Sequence, residues 1–165
     1  MTQTQLNSLL ACVVEQAKQA GIPVSTRICP TVSVNRRAKT RFGCCRTQNG
    51  VHTIEIAASL LEGDEWAIRQ TLAHEVLHTC PGCANHGPRW KSYASRMNAL
   101  YGYDIRRTDS HEQLGLSDDR PVRWLVVCRS CGKEMPRMKR SALVEHPERY
   151  RCRCGGTLYV KAAQQ

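Results

Sequence analysis

His74-Glu75-Val76-Leu77-His78 places two imidazoles four residues apart with a carboxylate between them. On a helix, positions i and i+4 lie about 40° apart around the axis, so both rings can address one ion. Glu75 then stands where a carboxylate can take a proton from a water activated by that ion. Zinc suits this set, because it supplies a Lewis acid and a hydroxide at neutral pH while the glutamate supplies the base. His86 follows, directly before Gly87-Pro88, and offers a third ligand. Three histidines with an open fourth position make a catalytic zinc site rather than a closed structural one. The alternative is a chance HxxxH on an amphipathic helix, its histidines satisfied in a core.

A second set lies near the other end of the chain. Cys128-Arg-Ser-Cys131-Gly132 has the form of a zinc knuckle, and Cys152-Arg-Cys154-Gly155-Gly156 supplies a second pair of thiolates. Four thiolates so spaced predict a zinc ribbon, in which a structural metal replaces a core too small to hold the segment alone. The second pair is CxC, so its turn must be tight, and His146 is an alternative ligand should Cys152 or Cys154 point away. Free cysteines in a disordered basic tail are the competing reading. Cys80-Pro-Gly-Cys83 and Cys44-Cys45 stay open between a further zinc, a redox switch and small buried hydrophobes around a turn.

Ten cysteines would suggest a disulfide scaffold in a secreted protein. The first eleven residues hold no Lys or Arg, and the apolar run before Cys12 is short and follows a helical stripe. No run approaches membrane-spanning length. The expectation is a cytoplasmic protein, with nucleoid association as an option and no membrane partner.

The elements that must position the histidines can be read from local signals. Residues 4–20 form an amphipathic stripe ending at Gly21 with Pro23 beyond. Residues 31–35 and 40–46 read as short strands, and Asn49-Gly50 signals a hairpin into a strand over 51–57. A helical turn at 59–61 precedes the metal helix, which has an acidic N-cap candidate at Asp64, an apolar stripe at Ile68, Leu72 and Val76, and a stop at Pro81-Gly82. A further helix spans 88–101, opened by Pro88 and closed by Gly102. This order predicts an α+β domain of helices and a small antiparallel sheet over residues 1–105. Residues 106–120 read as a polar linker, and 121–165 as the basic ribbon, with strands at 124–127 and 157–160. His111 and Tyr103 read as a loop histidine and a packed tyrosine rather than site residues.

The formal charge of +10 is unevenly spread. Residues 1–119 hold 13 Lys and Arg against 11 Asp and Glu, whereas residues 120–165 hold 11 against 3. Such an excess in a short segment points to a polyanion, nucleic acid above all, against the alternative of a solvated basic surface. Arg137, Lys139, Arg140, Arg149, Arg151 and Arg153 form the expected phosphate-facing set. Trp124, Tyr150 and Tyr159 are possible base-stacking partners or ribbon core.

The chain resembles the SprT-like family of zinc metalloproteins, to which the Spartan DNA–protein crosslink proteases are related, over about residues 5–160. The residues that carry the resemblance are His74-Glu75-x-x-His78, His86-Gly87-Pro88 with Trp90, the run from Asn35 to Gly43, and the ribbon ending Tyr150 to Leu158. The length resembles a bacterial member. The resemblance implies a zincin-like catalytic domain, His74, His78 and His86 as ligands of a catalytic zinc, and Glu75 as general base. The CxC pair is one residue shorter than the family's CxxC, and the Cys80–Cys83 segment replaces a different loop of the Spartan proteases. The resulting expectation is a zinc-dependent endopeptidase acting on protein substrates, DNA-bound or DNA-crosslinked ones included, with a ribbon that binds DNA. Its substrate would lie as an added strand beside residues 40–46 or 51–57. The alternative is a zinc-stabilised DNA-binding or regulatory protein with little proteolysis.

Overall fold

Leu6, Leu9, Leu10, Val13 and Ala17 fall on one face of the first helix, α1 (Gln3–Gln19), and all are buried. Thr2 closes its N-terminus in a capping box with Gln5, and Gly21 ends it in the left-handed region at φ +67°. The computed structural model describes residues 1–116 and 121–163. It divides the chain into two compact units, Met1–Ser117 and Asp118–Gln165.

In the first unit, β1 (Ser33–Asn35), β2 (Gly43–Gln48) and β3 (Val51–Ala57) form a sheet of order β1-β3-β2. Asn49 and Gly50 both have positive φ, the backbone of a two-residue hairpin turn, so β2 and β3 pair antiparallel. β1, however, pairs parallel with β3, so the sheet is mixed rather than antiparallel as expected. The connection from β1 to β2 is long enough to pass the end of β3 and place β2 on the far edge.

A 3-10 segment (Ala58–Glu62) leads to α2 (Glu65–Leu77), where the Asp64 side chain accepts from the Ala67 N–H at 2.9 Å. Ile68, Leu72 and Val76 are buried, and so are Ala67, Gln70, Thr71, Ala73, Glu75 and Leu77. α2 is therefore a central helix covered on several faces rather than a surface helix with one stripe. Each Leu or Ile so buried contributes about 1.5–3 kcal/mol. α2 stops at Leu77, before Pro81, but its C-cap His78 keeps helical angles, so the i, i+4 relation to His74 survives.

α3 (Pro88–Tyr101) runs as the sequence predicts, with Gly102 at φ +71° donating its N–H to the Asn98 carbonyl. The stretch read as linker from residue 106 instead packs on this unit as far as it is described. Leu114 is 2% exposed in the core, and Leu116 lies against it. Its polar composition hid two apolar anchors.

In the second unit, β4 (Trp124–Cys128) is the middle strand between β5 (Glu134–Arg137) and β6 (Leu158–Ala162), all antiparallel. β5 has no counterpart among the strands expected at 124–127 and 157–160; it contains Pro136, which an edge strand tolerates. A single turn, α4 (Ala142–Glu145), and a 3-10 turn (Pro147–Arg149) lead to the second cysteine pair. A small core gathers Val126, Val144 and Leu158 around Cys128 and Cys152. No described helix is long and apolar enough to cross a membrane.

Candidate active site

α2 delivers His74 and Glu75 from its last turn and His78 from its C-cap. The chain then turns through Pro81-Gly82, with Gly82 at φ +73°, and returns His86 immediately before α3. The Asn85 side chain accepts from the Gly87 N–H at 3.1 Å and holds this re-entry. The His86 Nε2 atom lies 2.9 Å from that of His74 and 3.2 Å from that of His78. Three nitrogens around one zinc at 2.0–2.1 Å would stand roughly 3.3 Å apart at tetrahedral angles, so the set fits that ion.

The proton positions suit it as well. A carbonyl can only accept, so the 2.7 Å contact between His78 Nδ1 and the Cys83 carbonyl places a proton on Nδ1 and leaves Nε2 free for a metal. His74 is held by a hydrogen bond to the Arg106 backbone. Burial, then the neighbouring His78 and His86, push His74 down to about 3, so it is neutral as a ligand must be. Burial and the charges of His78 and Arg107 lower His86 too. Trp90, 2% exposed, packs its indole against all three rings, with centroid separations of 4.5–5.6 Å.

Glu75 is 7% exposed, and burial pushes it up to about 7 against the Cys45 N–H and the Arg41 charge, which pull it down. Its space depends on a glycine. A Cβ on Gly43 would stand 2.6 Å from Glu75 Oε1 and 2.7 Å from Thr71 Cγ2. The histidines and Glu75 open into a cleft of about 610 Å³, lined also by residues 40–45 and by Arg107, Thr108 and Asp109.

The four cysteines of the second unit also converge. The sulfurs of Cys128 and Cys154 lie 3.5 Å apart, and those of Cys131 and Cys152 lie 3.7 Å apart. Four sulfurs at about 2.3 Å from one zinc would stand roughly 3.8 Å apart. Gly132 at φ +69° and Gly155 at φ +85° make the two turns, so the short CxC pair closes. Backbone N–H groups of Cys131 and Ser130 help hold Cys128 down to about 6, favouring its thiolate. Gly156 leaves room over the first knuckle, where a Cβ would meet Cys128 Sγ at 2.7 Å. His146 stands outside the cluster and pairs with Glu148 at 3.4 Å.

The remaining sequence candidates fall as follows. Cys80 and Cys83 are buried and form no disulfide, and burial pushes Cys80 up to about 12. Cys44 and Cys45 line the cleft and join no metal cluster among the described residues. His111 packs on Phe42 at 4.7 Å, and the Tyr103 hydroxyl donates to Gln16 at 2.6 Å. Lys139 and Arg153 are exposed, while Arg140 pairs with Glu145, Arg149 with Glu148, and Arg151 and Arg137 with backbone carbonyls. Trp124 packs on the ribbon core, Tyr159 lies under Arg129, and Tyr150 is exposed.

Sequence reading missed the structural roles of Gly43, Trp90, the Cys83 carbonyl and the loop carrying Arg106 and Arg107. Only Gly43 and Trp90 left a trace, inside the motifs of the resemblance. The sequence matches the family described as SprT-like over residues 12–111, a span that contains all three histidines and Glu75 but not the cysteine cluster. No curated protein matches the chain.

Proposed function

The chain belongs to the SprT-like family, and from that premise we propose that it is a zinc-dependent endopeptidase with a zincin-like site, joined to a nucleic-acid-binding zinc ribbon. One observation carries the reading: three histidine Nε2 atoms converge beside a buried carboxylate in an open cleft.

His74, His78 and His86 would hold the zinc ion, which supplies Lewis acidity and a water acidic enough to ionise near pH 7. Glu75 takes the proton of the attacking water and returns it to the amide nitrogen as the C–N bond breaks. Its buried position, which raises its proton affinity toward neutrality, suits both transfers. Of the two strands expected to receive substrate, β3 is paired on both sides, whereas β2 is an edge strand among the described residues and lines the cleft with Cys44, Cys45 and Thr47. The substrate backbone would therefore add to β2.

Cys128, Cys131, Cys152 and Cys154 would hold a second, structural zinc. The charge of residues 120–165 supports contact with a DNA backbone and hence action on DNA-bound protein. The alternative, a DNA-binding or regulatory protein without proteolysis, leaves the burial of Glu75 beside the histidines without a use.

The test is metal content by mass spectrometry beside cleavage of a protein substrate with and without DNA. Glu75→Gln should keep its zinc and cleave about 10²–10⁴-fold more slowly. Cleavage at the wild-type rate in that variant overturns the mechanism.

A further inference from the structure

Peptide hydrolysis moves negative charge onto the carbonyl oxygen, and a site that stabilises this charge aims a cation or hydrogen-bond donors at it. The side chains lining the cleft can be sorted by whether they are already engaged. Arg41 is bound to Glu55 at 2.6 Å. The Thr71 hydroxyl donates to the Ala67 carbonyl and the Thr47 hydroxyl meets His52, whereas Thr40, Thr108 and the Asn85 amide bring only uncharged donors to the cleft. Among the described residues no tyrosine lines the cleft. Arg107 lines it and, among the described residues, makes no hydrogen bond or ion pair.

The backbone that carries Arg107 is fixed on both central helices. The Asp104 N–H donates to buried Gln70 of α2 at 3.0 Å, and the Ile105 N–H donates to Asn98 of α3 at 2.8 Å. Asn98 donates back to the Ile105 carbonyl, and Ile105 is itself in the core. The next residue, Arg106, receives the hydrogen bond from His74. Arg107 thus leaves the backbone one residue beyond a point tied to the histidines, and it lines the same cleft as they do. A guanidinium stays charged at every working pH and offers five donors in a rigid fork.

Resting on the peptidase reading, we infer that Arg107 is the oxyanion-stabilising catalytic residue of this cleft. As the water oxygen bonds to the carbonyl carbon, the C=O π pair moves to oxygen, and the Arg107 N–H groups donate to that oxygen. The pair then returns, the C–N bond breaks, and the departing nitrogen takes the proton held by Glu75.

The experiment uses the zinc-loaded full chain, wild type, Arg107→Ala and Arg107→Lys, with two peptide inhibitors of the same sequence. One is a phosphinic peptide, tetrahedral and anionic like the reacting centre, and the other is a thiol peptide without an oxyanion. Calorimetry should show Arg107→Ala weakening the phosphinic peptide about 10²–10³-fold, with thiol-peptide affinity and zinc content unchanged and Arg107→Lys in between. Peptide kcat should fall by a similar factor with KM little altered. Equal loss for both inhibitors, no loss for either, no binding of either by wild type, or loss of zinc overturns the assignment. Wild type that cleaves, with Arg107→Ala cleaving equally fast, removes Arg107 and leaves the peptidase reading standing. Wild type that shows the inhibitor pattern without cleaving removes the peptidase reading and leaves Arg107 as the anion-binding group.

Discussion

Glu55 gathers Arg41 and Arg46 around one carboxylate. It sits on β3 with one oxygen taking Asn35 at 2.8 Å and Arg41 at 2.6 Å, and the other 3.3 Å from Arg46. Burial alone would raise this carboxylate, but the hydrogen bonds from Asn35 and Arg41 and the charge of Arg46 outweigh it and hold it below the ordinary value of 4.5. A depressed carboxylate stabilises the fold above its unfolded pKa, and that contribution is lost as pH falls through the folded one. Both arginines are about half exposed, which screens the pairs. Glu55→Gln should therefore cost about 1–2 kcal/mol at pH 7 in urea unfolding. The gap from wild type should close as pH drops well below 4.5. A gap that persists unchanged there would mean that charge on Glu55 is not what matters.

β2 and α2 approach each other so closely that their contact admits no side chain at Gly43. In Gly43→Ala the new methyl would meet Glu75 and Thr71 at 2.6–2.7 Å, so either the strand retreats or the glutamate leaves its place. We expect a loss of about 1–3 kcal/mol in stability. Because the histidines come from α2 and the turn after it, zinc content should stay at the wild-type level while cleavage falls sharply. Wild-type cleavage in that variant would show that the strand yields without disturbing Glu75. The element after α3 matters in the same way, because a loop tied to Gln70 and Asn98 fixes both the backbone partner of His74 and the backbone that carries Arg107.

Each unit of the molecule carries its own core and its own cluster of metal-ligating side chains. The first is the part that matches the family, and the second carries most of the net positive charge. Loss of one metal should then leave the other in place. Cys154→Ser should lower zinc from about two ions per chain to about one and weaken DNA binding, which should itself fall steeply with salt. Cleavage of a DNA-free peptide should persist, read by the same assay as for Glu75→Gln. Loss of both metals together would mean that the two units do not fold independently.

What the sequence determined by itself is what neighbouring residues decide. The i, i+4 histidines on a helix capped by Asp64, the positive-φ turn at Asn49-Gly50, and the helix opened by Pro88 and closed by Gly102 each depend on a few consecutive side chains, and each is present. The cysteine pairs are legible for the same reason, since a knuckle is a local turn. Tertiary structure decided the rest. The parallel pairing of β1 with β3, the clearance at Gly43 and the indole of Trp90 against three imidazoles all join residues distant in the chain. Arg107 belongs to this second group. In sequence it is one more cation in a polar stretch, and only the folding of that stretch onto α2 and α3 brings it to the cleft, because which distant groups line one cleft is set by packing and not by spacing.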